Sequence, residues 1–135
     1  MLQVYTLAQT LVGQQPVSFT NRVLIKGCTA SLGAPATIDL NKAGVYVVSC
    51  NATITGGATA GDGSLQLYRN GVAQPFAKAE ATLATDDLVS VGFETLIQVQ
   101  ENNTRCCITS PTSLQVIYEG VDATGDINLV VTKLI

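Results

Sequence analysis

A chain of 135 residues is the size of one domain with one core, and 47% of it is hydrophobic while only 13% is charged. The net charge is −3 and no basic run exists, which excludes an electrostatic footprint for nucleic acid. With no His, the chain lacks Ser-His-Asp and Cys-His arrangements, the usual general base near neutral pH and every His-ligated metal site.

Average soluble domains carry about 25% charged residues, so this surface is dressed by Ser, Thr, Asn, Gln and Gly or is covered by other subunits. Met1 to Tyr5 has neither the basic start nor the sustained apolar run of a secretory signal. The apolar runs are far shorter than the roughly 20 residues of a membrane helix. The expectation is a complete frame starting at Met1 and a protein folded in a cytoplasm, with no membrane partner.

No segment reads as a helix. Leu2 to Leu7 alternates and is the first candidate strand. After the break at Gly13 to Pro16, Val17 to Lys26 is the next. Gly27 to Ala36 reads as a loop, because it holds glycine stops and Pro35. Thr37 to Leu40 is a short strand before the turn Asn41 to Gly44.

Val45 to Thr55 is the strongest strand. Val45, Val47 and Ser49 share one face; Tyr46, Val48, Cys50, Ala52 and Ile54 share the other. Gly56 to Gly63 is a low-complexity loop. Ser64 to Tyr68 alternates again, and Asn70-Gly71 signals a hairpin, since both residues tolerate the positive φ of a type I′ turn. Phe76 to Leu83 is the returning strand, with helix as a minor alternative for its Ala-rich sequence.

Thr85 to Asp87 is a turn. Leu88 to Gln100 is the second clear strand, with Val89, Val91, Phe93, Ile97 and Val99 on one side. Glu101 to Thr104 turns the chain, and Arg105 to Thr109 is a short strand. Leu114 to Tyr118 is a strand, Gly120 to Gly125 a loop and Asp126 to Leu134 the last strand. Eight to ten strands without a helix predict an all-β fold, an antiparallel β-sandwich of jelly-roll type. Phe19, Tyr46, Leu67, Phe93, Val116 and Leu129 are the expected core.

Few residues carry chemistry. Cys28, Cys50, Cys106 and Cys107 form no C-x-x-C pair and read as small buried hydrophobes; a disulfide from Cys28 or Cys50 to the adjacent pair stays open. Cys106 beside Arg105 lacks an imidazole base. Asp62, Asp86, Asp87, Asp122 and Asp126 fall in loops, but none has the spacing of a calcium loop, and turn formation accounts for them. The sequons at Asn51 and Asn102 carry little weight without a secretory signal. Tyr5, Tyr68 and Tyr118 are candidate stacking surfaces for sugars. No catalytic, cofactor-binding or metal-binding residue is assigned, and no enzyme is expected.

The motifs also form a recognisable order. Ile38-Asp39-Leu40 followed by Ala43-Gly44-Val45-Tyr46-Val47-Val48 resembles the lead into a central strand of the C1q/TNF-like jelly roll. Ser64 to Gly71 resembles that superfamily's next hairpin, and Asn128 to Leu134 its closing strand. The run Val17 to Asn21, then Gly27-Cys28, then Arg105-Cys106-Cys107, is similar to that of small proteins from phages and prophages of gut Firmicutes. The likeness spans roughly residues 15 to 135.

The resemblance implies a homotrimer in which three jelly rolls bury one sheet face around a three-fold axis. The low charge agrees, since a closed oligomer covers apolar surface. The expectation is an N-terminal strand or arm over 1–12 and a single jelly-roll domain over 13–135. The expected function is a non-enzymatic phage virion structural protein, a head decoration or head-fibre component partnered by the major capsid protein. The alternatives are a receptor- or carbohydrate-binding tail tip that recognises a host surface glycan, and the terminal domain of a collagen-like spore filament. The absence of a Gly-X-Y repeat weakens the last.

Overall fold

The computed structural model describes residues 1–25, 30–34, 36–99 and 112–135. Among them lie eleven strands and no helix. They are β1 (Leu2–Leu11), β2 (Gln15–Pro16), β3 (Asn21–Ile25), β4 (Ala30–Ala34), β5 (Thr37–Leu40), β6 (Gly44–Gly56), β7 (Gly61–Arg69), β8 (Val72–Leu83), β9 (Leu88–Val99), β10 (Thr112–Gly120) and β11 (Ala123–Lys133).

They form two antiparallel sheets. The five-stranded sheet runs β3-β1-β11-β6-β9; the six-stranded sheet runs β4-β5-β10-β7-β8, with β2 added against β10. Each sheet interleaves strands from both ends of the chain, which is the jelly-roll arrangement the alternating segments predict. Both sheets turn their apolar residues inward. Val4, Tyr46, Val48, Cys50, Leu129 and Val131 from one sheet meet Ile38, Leu65, Leu67, Leu114, Val116 and Tyr118 from the other.

The period of two is unbroken along β6, where Tyr46, Val48, Cys50, Ala52 and Ile54 are buried and alternate with outward residues. Five of the six expected core residues are buried; Phe93 is only half-buried, because β9 is an edge strand with no neighbour beyond it. Tyr46 and Tyr118 are the largest fully buried side chains. Each satisfies its hydroxyl locally: Tyr46 donates to the Lys42 carbonyl at 2.7 Å, and Tyr118 donates to the Val121 carbonyl.

Several elements differ from expectation. Residues 30–34, read as loop, form β4 and pair with β5, with a register shift between Leu32 and Ala34. Eleven strands exceed the eight to ten expected. The segment 17–20 lies outside the strands and is tied to both sheets: the Val17 amide donates to the Val116 carbonyl, and the Ser18 amide and carbonyl bond the Gln9 side chain of β1. The first strand continues past Leu7 to Leu11 through a bulge in which Ala8 has a φ of 49°. The Asp126 carboxylate holds that bulge, accepting from the Ala8 amide at 2.7 Å. The Ala-rich segment is a strand throughout. Its bulge sets residues 74–77 opposite Leu67 alone, and Pro75 falls there, where no ladder donor is needed. The Asn70-Gly71 turn has φ values of 50° and 81°, as a type I′ turn demands. Cys28, Cys106, Cys107, Arg105, the Asn102 sequon and the expected strand 105–109 lie outside the described residues.

Candidate functional site

With the inner faces joined in the core, the two outer faces remain, and they differ in charge. On the six-stranded sheet the outward rows include Asp39, Asp62, Lys78, Glu80 and Glu119. Lys78 and Glu80 form an exposed ion pair at 2.8 Å. This is a surface built for water.

The outer face of the five-stranded sheet is nearly uncharged. Its cross-strand rows are set by register, because partners across an antiparallel ladder share a face. From the end where β11 finishes, the rows are Val45–Gln98, then Thr132–Val47–Leu96, then Leu24–Gln3–Val130–Ser49–Glu94. Next comes Asn21–Tyr5–Asn128–Asn51–Gly92, then Asp126–Thr53–Ser90, then Thr10–Thr124–Thr55–Leu88. Glu94 and Asp126 are the only charged residues among them.

The face therefore has two parts. The first three rows present aliphatic side chains, with Leu96 at 59% exposure and Leu24 at 38%. Leu134, just beyond β11, lies at the same end, its amide donating to the Val45 carbonyl at 2.7 Å and its side chain exposed. The next two rows are mainly amides and hydroxyls, with the Asp126 carboxylate among them. They floor a groove of about 620 Å³, walled on the β1 and β3 side by Tyr5, Leu7 and Val23. Gly92 contributes no side chain, and the Asn51 amide occupies that space: a Cβ on Gly92 would stand 2.9 Å from Asn51 Oδ1. The Gln3 amide donates to Asn128 Oδ1 at 3.1 Å.

The candidate residues from sequence scatter. Asp86 and Asp87 form the β8–β9 turn, stitched to β6 by hydrogen bonds with Gly56. Asp62 accepts from the Thr82 hydroxyl, and Asp126 holds the β1 bulge. Among the described residues no three acids or thiols group as a metal site. Tyr5 is half-buried on the groove wall and Tyr68 half-buried on the opposite sheet. Tyr118 is fully buried and offers no stacking surface, because it follows Leu114 and Val116 on the inward side of β10. Burial, reinforced by Asp122, raises its hydroxyl pKa. Cys50 is buried as expected, and desolvation pushes its thiol up to about 12. Asn51 stands exposed at the centre of the uncharged face. Sequence reading passed over Gln3, Ser90, Gly92 and Asn128, which only the strand register brings together.

No family model matches the sequence, and no curated protein matches it either. Solved structures do match in shape. The globular domain of zebrafish complement 1qA protein superposes with a TM-score of 0.69 at 11% identity, covering 99% of this chain and 96% of that one. Eiger TNF from S. frugiperda gives 0.68 at 11%, covering 99% and 92%. PRD1 vertex protein P5 gives 0.63 at 13%, covering 99% and 96%. The fold is thus a jelly roll of the C1q/TNF kind, shared with a viral vertex protein.

Proposed function

We propose that this protein is a non-enzymatic structural component of a phage virion, and that three copies associate through the outer face of the five-stranded sheet. The observation that carries the reading is the contrast between the faces. One sheet carries Asp39, Asp62, Lys78, Glu80 and Glu119 on its outer face, while the other ends in Val45, Val47, Leu96, Val130, Leu24 and Leu134, with Glu94 the one charged side chain in those rows. An exposed aliphatic patch is covered at low cost by a second copy, and a cyclic arrangement closes without leaving a patch open. The sequence resemblance to small phage proteins and the shape shared with a vertex protein support a place on the particle. In this reading residues 1–12 supply a strand, residues 13–135 supply the rest of the jelly roll, and the trimer decorates the head or forms a head fibre bound to the major capsid protein.

Native mass spectrometry of the purified protein is expected to give a trimer. Val47→Asp with Leu96→Asp is expected to give a folded monomer, since both side chains point away from the core. A wild-type monomer overturns the association. Immunogold electron microscopy of purified virions is expected to label heads; label confined to tails would shift the role to the tail tip, and unlabelled particles would remove the virion role.

A further inference from the structure

The groove in the uncharged face calls for an explanation separate from self-association, because its chemistry differs from that of the aliphatic end. We infer that it binds a neutral carbohydrate. A volume of about 620 Å³ lies within the range of small-molecule sites, roughly 300–1,000 Å³. The floor is amides and hydroxyls. Asn51 and Asn128 stand side by side on β6 and β11, flanked by Thr53 and Ser90. The Asn51 amide offers one acceptor and two donors in a plane, and the Asn128 amide, whose Oδ1 already accepts from Gln3, adds two donors, a set that suits the paired hydroxyls of a sugar ring. Asn51 is exposed, lines the groove and makes no side-chain hydrogen bond among the described residues, so its amide is open to a ligand.

The wall supplies the other half of sugar recognition. Tyr5, with Leu7 and Val23 beside it, presents apolar surface to the C–H face of a pyranose ring. No Lys or Arg lines the groove, and its one charge is the Asp126 carboxylate. One oxygen of that carboxylate accepts from the Ala8 amide, and the other remains as an acceptor for a hydroxyl. An anionic ligand would meet this carboxylate with no cation to offset it, which selects for neutral sugars. Gly92 borders Asn51, and a Cβ there would stand 2.8 Å from the Cys50 carbonyl oxygen and 2.9 Å from Asn51 Oδ1. The inference is independent of the virion reading. It requires only that association use the aliphatic rows and leave the groove open.

The test is an amide NMR titration of the full chain with D-glucose, D-galactose, D-mannose and N-acetyl-D-glucosamine, together with an array of neutral and sialylated glycans. Saturable shifts at Tyr5, Asn51, Ser90 and Asn128 are expected. Asn51→Ala is expected to weaken binding by about tenfold, the value of one or two hydrogen bonds. Thr124→Ala, one row beyond the groove, is expected to leave it unchanged. Absence of binding to every neutral sugar overturns the inference, as does binding that Asn51→Ala leaves intact or that prefers sialylated glycans. Hydrogen exchange showing the groove covered by a second copy in the wild-type assembly also overturns it. Native mass spectrometry of the same samples keeps these outcomes apart from failure of the trimer.

Discussion

Two glycines with positive φ separate backbone strain from backbone crowding. Gly71 has a φ of 81° in the β7–β8 turn, and a Cβ there would meet no atom within 4 Å. Gly120 has a φ of 145° at the end of β10, and a Cβ there would stand 2.2 Å from the Asp62 carbonyl oxygen and 2.7 Å from Gly63 Cα. Gly71→Ala therefore meets only the conformational penalty of a side chain at positive φ, about 1–2 kcal/mol. Gly120→Ala meets that penalty and a clash with main chain that cannot rotate away. Relief requires parting Gly120 from Gly63 and breaking the hydrogen bond from the Val121 amide to the Asp62 carbonyl, 3.1 Å. That lost hydrogen bond adds about 1 kcal/mol, so the total is about 2–3 kcal/mol. With an unfolding entropy of about 2.1 cal/mol/K per residue, a chain of this length loses about 3.5 °C in Tm per kcal/mol. Gly71→Ala should lower Tm by about 4–7 °C and Gly120→Ala by about 7–11 °C. Differential scanning calorimetry at one fixed protein concentration reads both, which removes any shift due to assembly. Equal losses would refute the reasoning, because the close approach of β7 to residue 120 would then cost nothing.

Tyr118→Phe is expected to cost about 1 kcal/mol, the hydrogen bond to the Val121 carbonyl, read as a lower urea midpoint with an unchanged slope. Leu67→Ala removes a fully buried side chain between the sheets and should cost about 3–5 kcal/mol in the same assay. Burial raises the pKa of Cys50, Tyr46 and Tyr118, so each ionises less readily in the folded state. The folded state thus holds these protons more tightly, so stability is fully present below the unfolded values and is lost as pH climbs toward the folded ones. For Cys50 the loss begins near pH 9 and continues toward about 12. Urea unfolding at pH 7.5, 9.0 and 9.5 should show the decline, and Cys50→Ala should flatten it below pH 10. Deleting residues 1–12 removes β1 from between β3 and β11 and should abolish the cooperative transition seen by circular dichroism, since Leu2, Val4 and Leu11 leave the core.

The strands were legible wherever one face is buried and the other is not. Along β6 and β10 every second residue is apolar, and no other period fits. The Asn70-Gly71 turn was legible for a local reason, since few dipeptides accept two positive φ angles. Misreadings arose where local signals were overruled by neighbours. Gly33 and Pro35 read as breakers, yet β4 forms because β5 offers it a ladder. Ala8 carries no turn signal, so the bulge that carries β1 to Leu11 was hidden; its partner Asp126 is 118 residues away. Tyr118 lies two residues after Val116 and shares its inward side, a signal that was available in the spacing. The groove was not legible at all. Its residues come from strands spread along the whole chain, and only register places Asn51 beside Asn128 and Gly92.

The pairing of β1 with β11 joins Leu2 to Val131, near opposite ends of the sequence. Within the five-stranded sheet, β11 is also the bridge between β1 and β6. Until β11 emerges from the ribosome, β1 and β6 have no common partner, and their core side chains stay open to water. The contact order is correspondingly high, so folding should be slow and largely post-translational. Mutations in β11 should therefore lower soluble yield in the cell more than mutations of equal equilibrium cost in the β7–β8 hairpin, which can pair as soon as it is made.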